Sequence, residues 1–199
     1  EGIVVVQAKG IVGRAKDINA VVLTPNLMIA PIRSVSGISV DLVLAGQEAV
    51  VVNTFENMGL ALVSYPTGGL KPVLIAKTNS EVGRTLHVVT HNGNAVSGEV
   101  VGLAGLNQNY FGMSMSKALL SLNGAGVFNN CGELIGVYDK DAKSKVSSAV
   151  ALDSIIKIAN GISGSNFSTA ECPSEVEKLA SIEKKRIQDN EEAKARSIE

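Results

Sequence analysis

Tryptophan is absent from the 199-residue sequence, and aromatic side chains make up only 4% of it. Because hydrophobic residues nevertheless reach 45%, any core has to be built mainly from Val, Ile, Leu and Ala. The 18 Lys and Arg residues are balanced by 19 Asp and Glu, so no excess of positive charge indicates binding to nucleic acid. No apolar run approaches the roughly 20 residues of a membrane-spanning helix, and we expect no membrane insertion of this chain.

Cysteine and histidine are also scarce, with two of each. Cys131 and Cys172 could form a disulfide in an oxidising compartment or remain two unrelated thiols, and the sequence leaves both open. A bond would close a loop of a size that stabilises a fold by roughly 4 kcal/mol. His87 and His91 are predicted in one strand, about 13 Å apart, which is too far to share a metal ion. The chain begins at Glu1 without Met or a signal peptide, so we expect a mature or trimmed fragment.

Aliphatic and β-branched runs separated by turn residues predict two sets of short strands. The first set shows no helical period, and its strands are expected at residues 2–8, 20–24, 27–30, 40–44, 49–52 and 60–63. The second set is expected at residues 72–76, 85–90, 95–103, 110–115, 126–128, 134–138 and 146–150. Between the sets, Pro-Thr-Gly-Gly is the predicted domain boundary. One amphipathic helix is predicted at residues 152–161, with Gly161 as its C-terminal cap.

Residues 121–137 contain a glycine-rich loop, Asn-Gly-Ala-Gly, then a Val-Phe strand, a turn, and Gly-Glu-Leu-Ile-Gly-Val. This layout resembles the nucleophile loop of chymotrypsin-like serine proteases, most closely their HtrA/Deg branch, where Gly-Asn-Ser-Gly-Gly-Pro precedes a similar pair of strands. Residues 148–155 also resemble the segment that leads the family's last barrel strand into its closing helix. The resemblance extends over about residues 1–161.

This resemblance implies an all-β fold of two tandem six-stranded antiparallel β-barrels of the trypsin-like type, followed by a C-terminal helix and a charged helical tail. The implied domains are an N-terminal barrel at residues 1–66, a C-terminal barrel with its closing helix at 67–161, and a linker with the tail at 162–199. Charges of both signs alternate in the tail, which is typical of a solvated helix. We expect either that this helix continues into a longer protein or that the end of the chain is partly disordered.

The catalytic positions of that family hold other residues here. Arg33 stands where the family has its catalytic His, and a guanidinium stays protonated and cannot act as a base. Gly59 stands in place of the catalytic Asp, and Asn123 in place of the nucleophilic Ser, where an amide offers nothing to activate. Ser121 replaces the glycine of the oxyanion hole, which puts the hole expected at Ser121, Leu122 and Asn123 in doubt. Arg33 either fills space or pairs with a carboxylate such as Glu56.

The resemblance therefore implies a pseudoprotease: a non-catalytic protein-binding or structural module of an envelope or secreted assembly, in the periplasm or outside the cell. It further implies that the strand before the C-terminal helix binds a partner's backbone by β-augmentation. We expect a protein or peptide partner, with no nucleic acid, cofactor or metal, and the sequence indicates no oligomeric state. The implied binding edge comprises Val146, Ser147, Ser148, Ala149 and Val150.

Two other functions are compatible with the sequence. One is a hydrolase or metal-binding domain with relocated chemistry that uses His87 or His91. The other is an intracellular regulator in which both cysteines are free thiols. The positions of the histidines and the state of the cysteines distinguish these alternatives from the pseudoprotease.

Overall fold

The structure is a computed structural model that describes residues 2–9, 16–35, 41–103, 109–117, 119–140, 147–162, 167–170, 172–173 and 183–188. Val146 of the predicted binding edge and most of the predicted tail lie outside these residues. Within the tail, residues 183–188 are helical and exposed. Among the described residues, no helix is long and apolar enough to cross a lipid bilayer.

The first six strands form a closed antiparallel barrel in which the order is β1-β2-β3-β6-β5-β4. The register between β1 and β2 places Ile3 opposite Val21, and β4 closes the barrel by pairing with β1. The strands are β1 (Ile3–Lys9), β2 (Lys16–Thr24), β3 (Leu27–Pro31), β4 (Asp41–Leu44), β5 (Gln47–Phe55) and β6 (Leu60–Ser64).

Six further strands form the second barrel, closed by the pairing of β11 with both β8 and β12. The strands are β8 (Thr85–Val89), β9 (Ala95–Leu103), β10 (Tyr110–Met115), β11 (Gly126–Phe128), β12 (Leu134–Tyr138) and β13 (Ser147–Ala151). Two short strands, β7 (Ile75–Ala76) and β14 (Thr169–Ala170), extend the sheet beyond β12 by parallel pairing. The predicted fold of two six-stranded antiparallel barrels is confirmed.

Three strands of the first barrel, β2, β3 and β6, are buried on both faces. Alternate residues such as Ala20 and Met28 belong to the core of the first barrel, whereas Val21 and Ile29 pack into the core of the second. Strands buried on both faces are nearly continuous apolar runs, which is how these segments read in the sequence. β5 instead exposes most of its residues. The apolar wall formed by β2, β3 and β6 therefore joins the two barrels.

Besides the helical residues 183–188, two α-helices complete the described fold. α1 (Ile32–Val35) directly follows β3, and its first N–H donates to the Gly59 carbonyl at 2.9 Å. Sequence periodicity missed α1 because four residues are barely one helical turn. α2 (Leu152–Asn160) confirms the predicted closing helix, and its apolar face contacts β12 and β13. Gly161 is the C-terminal cap of α2, as predicted: it has right-handed angles (φ −75°, ψ −10°), and its N–H donates to the carbonyls of Lys157 and Ile158 at 3.2 Å.

Cys131 and Cys172 form a disulfide, which settles the alternative that the sequence left open. Their Cα atoms are 5.7 Å apart, and the sequence separation is 41 residues. The bond ties the turn between β11 and β12 to the chain just after β14. The alternative in which both cysteines are free thiols is thereby contradicted.

Candidate functional site

An ion pair between the two barrels occupies the cleft where the resemblance places a catalytic base. α1 holds Arg33 at the cleft, and its Nη2 donates to Oδ2 of Asp139 at 2.9 Å. Asp139 directly follows β12, and its side chain is fully buried, whereas that of Arg33 is 45% exposed. Among the described residues, this carboxylate pairs with Arg33, whereas Glu56 is exposed. Burying a carboxylate costs free energy unless it has a charged partner, and Arg33 provides that partner for Asp139.

The place expected for a catalytic acid is filled from the other barrel. Gly59 ends a short 3₁₀ turn, Glu56–Met58, in the left-handed conformation with φ 65°. A Cβ at Gly59 would collide with the Tyr110 hydroxyl and lie 3.6 Å from Oδ2 of Asp139. The Tyr110 hydroxyl donates to the Met58 carbonyl at 3.2 Å. Both the backbone angles and the lack of space therefore require glycine at position 59.

Tyr110 is also affected electrostatically by the ion pair. Burial raises the pKa of the Tyr110 hydroxyl, and the Asp139 carboxylate adds to this rise, whereas the Arg33 guanidinium opposes it. Desolvation and a neighbouring negative charge both disfavour a phenolate. Tyr110 is therefore a neutral hydrogen-bond donor at ordinary pH.

Asn123, at the position expected for a nucleophile, uses both polar atoms of its side chain to hold the backbone of Lys140. Its Nδ2 donates to the Lys140 carbonyl at 3.1 Å, and its Oδ1 accepts from the Lys140 N–H at 2.8 Å. The Asn123 N–H donates to the Leu120 carbonyl at 3.1 Å, closing the 3₁₀ turn Leu120–Leu122. One of the two N–H groups expected of an oxyanion hole is thus bonded within its own turn.

Asn19, on β2 of the first barrel, fastens this loop to its surroundings. Its Nδ2 donates to the carbonyls of Ser121 at 3.2 Å and Asn123 at 3.4 Å. Its Oδ1 accepts from the N–H of His91 at 3.3 Å and lies 3.1 Å from Nδ1 of the same residue. Gly124 has φ 84°, and a Cβ there would collide with the Asn19 carbonyl oxygen. The loop therefore packs directly on the backbone of β2.

Sequence reasoning missed Asn19, Tyr110 and Asp139, although all three complete this site. Two of them leave a trace in the sequence. Asn19 interrupts an apolar run, Ile-Asn-Ala-Val-Val, and Asp139 directly follows the apolar strand Leu-Ile-Gly-Val-Tyr. A buried polar residue in such a run is informative because it needs a partner. The partners Ser121 and His91 of Asn19, and Arg33 of Asp139, are more than 70 residues away in the sequence, so no local pattern identifies them.

Solved structures with the same architecture include two proteases. The Rv3671c protease from M. tuberculosis, in its active form, matches with a TM-score of 0.66 and 15% identity, over 87% of this chain and 86% of that one. The serine endoprotease from Yersinia pestis matches with a TM-score of 0.66 and 14% identity, over 80% of this chain and 61% of that one. The fold is trypsin-like. No protein-family model matches the sequence, and no curated protein matches it.

The described part of the predicted binding edge lies in the second barrel, and its binding to a partner stays a prediction. Residues 147–150 belong to β13 and pair with β10 on one side, whereas the pairing with β12 on the other side begins at Ala149. Ala149, for example, lies opposite Phe111 and Tyr138 at once. On the β12 side, the ladder includes Ala149 and Val150, and the Ser148 carbonyl accepts from the Asp139 N–H at 3.0 Å. The sequence motif does not show which strands become the neighbours of β13.

The sequence predicted both histidines in one strand, but the structure places them in different surroundings. His87 lies on β8, with Nδ1 3.0 Å from Ser97 Oγ and Nε2 3.0 Å from Asn130 Oδ1. β8 ends at Val89, and His91 lies in the following turn against Asn19. Within the described part of the chain, no three His, Cys, Asp or Glu side chains are grouped to hold a metal ion.

Proposed function

We propose that this chain is a catalytically inactive, trypsin-like protein, a degenerate relative of the HtrA/Deg proteases, that acts as a binding or structural module. The observation that carries the proposal is the ion pair between Arg33 and Asp139, which lies at the position where a protease of this fold would need a catalytic base. A guanidinium cannot accept the proton of a nucleophile, and the ion pair fixes it in place. The amide of Asn123 is engaged with Lys140 and has no group that could form an acyl-enzyme.

The same contacts suggest what replaced catalysis. Arg33 with Asp139, Tyr110 with Met58, and Asn19 with the loop at residues 121–123 all connect one barrel to the other. They fix the relative position of the barrels. We infer that a rigid surface for a protein or peptide partner, rather than a working cleft, is what this fold supplies.

Hydrolysis assays test the inactivity directly. Purified protein should neither cleave unfolded casein nor react with a fluorophosphonate probe, which labels activated serines. The matched variant Asn123→Ala controls for contaminating proteases, because it removes the candidate position and should leave any background unchanged. Cleavage by the natural sequence that Asn123→Ala or Arg33→Ala abolishes would overturn the proposal.

We propose the periplasm or the extracellular space as the location, because the disulfide needs an oxidising compartment. In cells of the natural host, alkylation before and after reduction should find Cys131 and Cys172 protected until reductant is added. Predominantly alkylated thiols in the unreduced sample would contradict this location.

A further inference from the structure

A polar pocket lies at the second barrel, at the turn that the disulfide holds. Its volume is about 200 Å³, and its lining includes the loop before β8, the turn between β11 and β12, and Cys172. Pockets for drug-sized ligands have about 300–1,000 Å³, so this one suits a single side chain or a small amine. None of the cleft residues Arg33, Asp139 and Asn123 lines it. The pocket is therefore separate from the site described above.

A buried carboxylate forms part of the pocket wall. Glu133 is only 3% exposed, and its Oε2 accepts a hydrogen bond from Nδ2 of Asn129 at 2.8 Å. The Asn129 side chain in turn accepts the Glu133 N–H at 3.0 Å, so the carboxylate is fixed in position. A buried carboxylate with one neutral donor on one oxygen still has acceptor capacity for a charged group.

The other charges of the pocket leave it net negative. Besides Glu133, the lining contains Glu81 and Arg84, which pair with each other at 3.4 Å. Both members of that pair are substantially exposed, so solvent screens the charge of Arg84. Two carboxylates against one guanidinium favour a monovalent cation. Hydroxyl and amide side chains in the lining, such as Thr85 and Asn79, offer further acceptors to its N–H groups.

We propose that this pocket binds the guanidinium or ammonium group of an Arg or Lys side chain on a partner polypeptide. The proposal rests on the binding function proposed above and identifies where on the fold it is carried out. The pocket size, the fixed buried carboxylate and the surrounding acceptors match such a group, and Arg is the residue whose planar N–H array pairs best with a carboxylate. Val82, beside Glu81, is 69% exposed and adds apolar contact for the partner's chain.

The disulfide has a role in this pocket. Cys172 and Pro173 form one wall, and their attachment to Cys131 keeps that wall next to the turn that bears Glu133. Without the bond, this wall would have to become ordered when the ligand binds, and the lost conformational entropy would oppose binding. Replacing both cysteines by serine should therefore weaken binding of the cation about 3–10-fold, as expected when one short segment is no longer ordered in advance.

The test uses acetyl-Arg-amide and a short Arg-containing peptide, each compared with its citrulline counterpart, a neutral analogue of nearly the same shape. In NMR titrations, the arginine ligands should shift amide signals at residues 78–85 and 129–133, and the citrulline ligands should bind at least 10-fold more weakly. Equal affinity for citrulline, or shifts located elsewhere, would overturn the proposal. So would a divalent cation that displaces arginine in a competition titration.

Variants separate the charge of Glu133 from its structural role. Glu133→Gln keeps an acceptor for Asn129 but loses the charge, and it should weaken arginine binding at least 10-fold. Glu48→Gln removes the same charge from the exposed surface of the first barrel and should change nothing. Unchanged binding by a folded Glu133→Gln variant contradicts the pocket. If Glu133→Gln does not fold, the comparison of arginine with citrulline on the natural sequence still decides.

Experiments can distinguish failure of the cation-binding proposal for this pocket from failure of the proposed function. A native partner retained equally by the natural sequence and by Glu133→Gln would overturn the pocket and leave the binding function intact. Conversely, specific arginine binding together with proteolytic activity that Asn123→Ala abolishes would overturn the inactive module and leave the pocket standing.

Discussion

Arg33 illustrates how much of the chemistry of a cleft depends on one residue. Its side chain forms one half of a fixed ion pair with the buried Asp139. The sequence indicates that Arg33 is not a base, because that follows from residue type alone. It does not indicate the partner, because Asp139 is brought to Arg33 only by the packing of two barrels.

Replacing Arg33 by Ala should destabilise the protein by about 1–3 kcal/mol, because the buried Asp139 carboxylate loses a charged partner. Half of the Arg33 side chain is exposed, which keeps the expected loss below that of a fully buried pair. Urea denaturation at neutral pH measures the difference. The matched control is Arg84→Ala, which breaks an exposed pair and should cost less than about 1 kcal/mol. Equal losses in the two variants would show that burial of Asp139 does not matter.

Tyr110 gives a prediction for alkaline pH. Burial raises its pKa in the folded state above the ordinary value of 10.0 for tyrosine, so below that pH both the folded and the unfolded chain hold the phenolic proton and stability is unaffected. As the pH rises further, the unfolded chain releases the proton first, and the free energy of unfolding falls until the folded pKa is passed. Burial also raises the pKa of Tyr138, so two tyrosines contribute.

The measurement is urea denaturation between pH 8 and pH 11.5 of the natural sequence and of Tyr110→Phe. The variant should show a shallower fall above pH 10, because only Tyr138 then contributes a raised pKa. Absorbance at 295 nm should also show one late-ionising phenol fewer. Identical pH profiles would exclude a raised pKa at Tyr110.

At the scale of elements, the strands of the two barrels were predictable because each contains either alternating or continuous apolar residues, whereas β14 lies in a segment that the sequence predicts as a linker. β2 and β3 read as continuous runs since both of their faces are buried, and β9 and α2 lie where their patterns indicate. α1 was not predictable, because four residues carry no period. β13 was found as a strand, but its neighbours were not, because pairing partners depend on closure of the barrel rather than on local sequence.

The loop that begins at Asn123 depends on Gly124 for its contact with β2. Gly124→Ala should destabilise by roughly 3 kcal/mol or more, because φ is positive and a Cβ would collide with the Asn19 carbonyl. Gly46 provides the matched control, since it has φ 83° and open space around the position of a Cβ. Gly46→Ala should cost only about 1 kcal/mol, from the backbone angle alone. Thermal or urea unfolding compares the two, and similar losses would disprove close packing of the loop.

At the scale of the molecule, the barrels share one apolar interface and several polar contacts. Ile29, Leu60 and Leu62 of the first barrel belong to the hydrophobic core of the second. Separating the barrels would expose these side chains, at about 25 cal/mol for each Å² of apolar surface. The structure therefore behaves as a unit, although each barrel is closed by itself.

Unfolding in urea should accordingly be a single cooperative transition. Hydrogen exchange of amides in the core of the first barrel, such as Met28, and of the second, such as Val137, should report the same free energy of opening. A non-disruptive control is an exposed hairpin amide such as Asn94, which should exchange faster than both. Two separate transitions, one for each barrel, would contradict the shared interface.

The wall formed by β2, β3 and β6 has a consequence for biosynthesis. The ribosome synthesises all six strands of the first barrel before any strand of the second. The newly formed first barrel therefore exposes an apolar face to water. Val21, Leu23, Ile29, Leu60 and Leu62 remain uncovered until the second half of the polypeptide arrives. During that interval the nascent chain is a natural client for a chaperone, and the speed of translation between the two halves sets how long the exposure lasts.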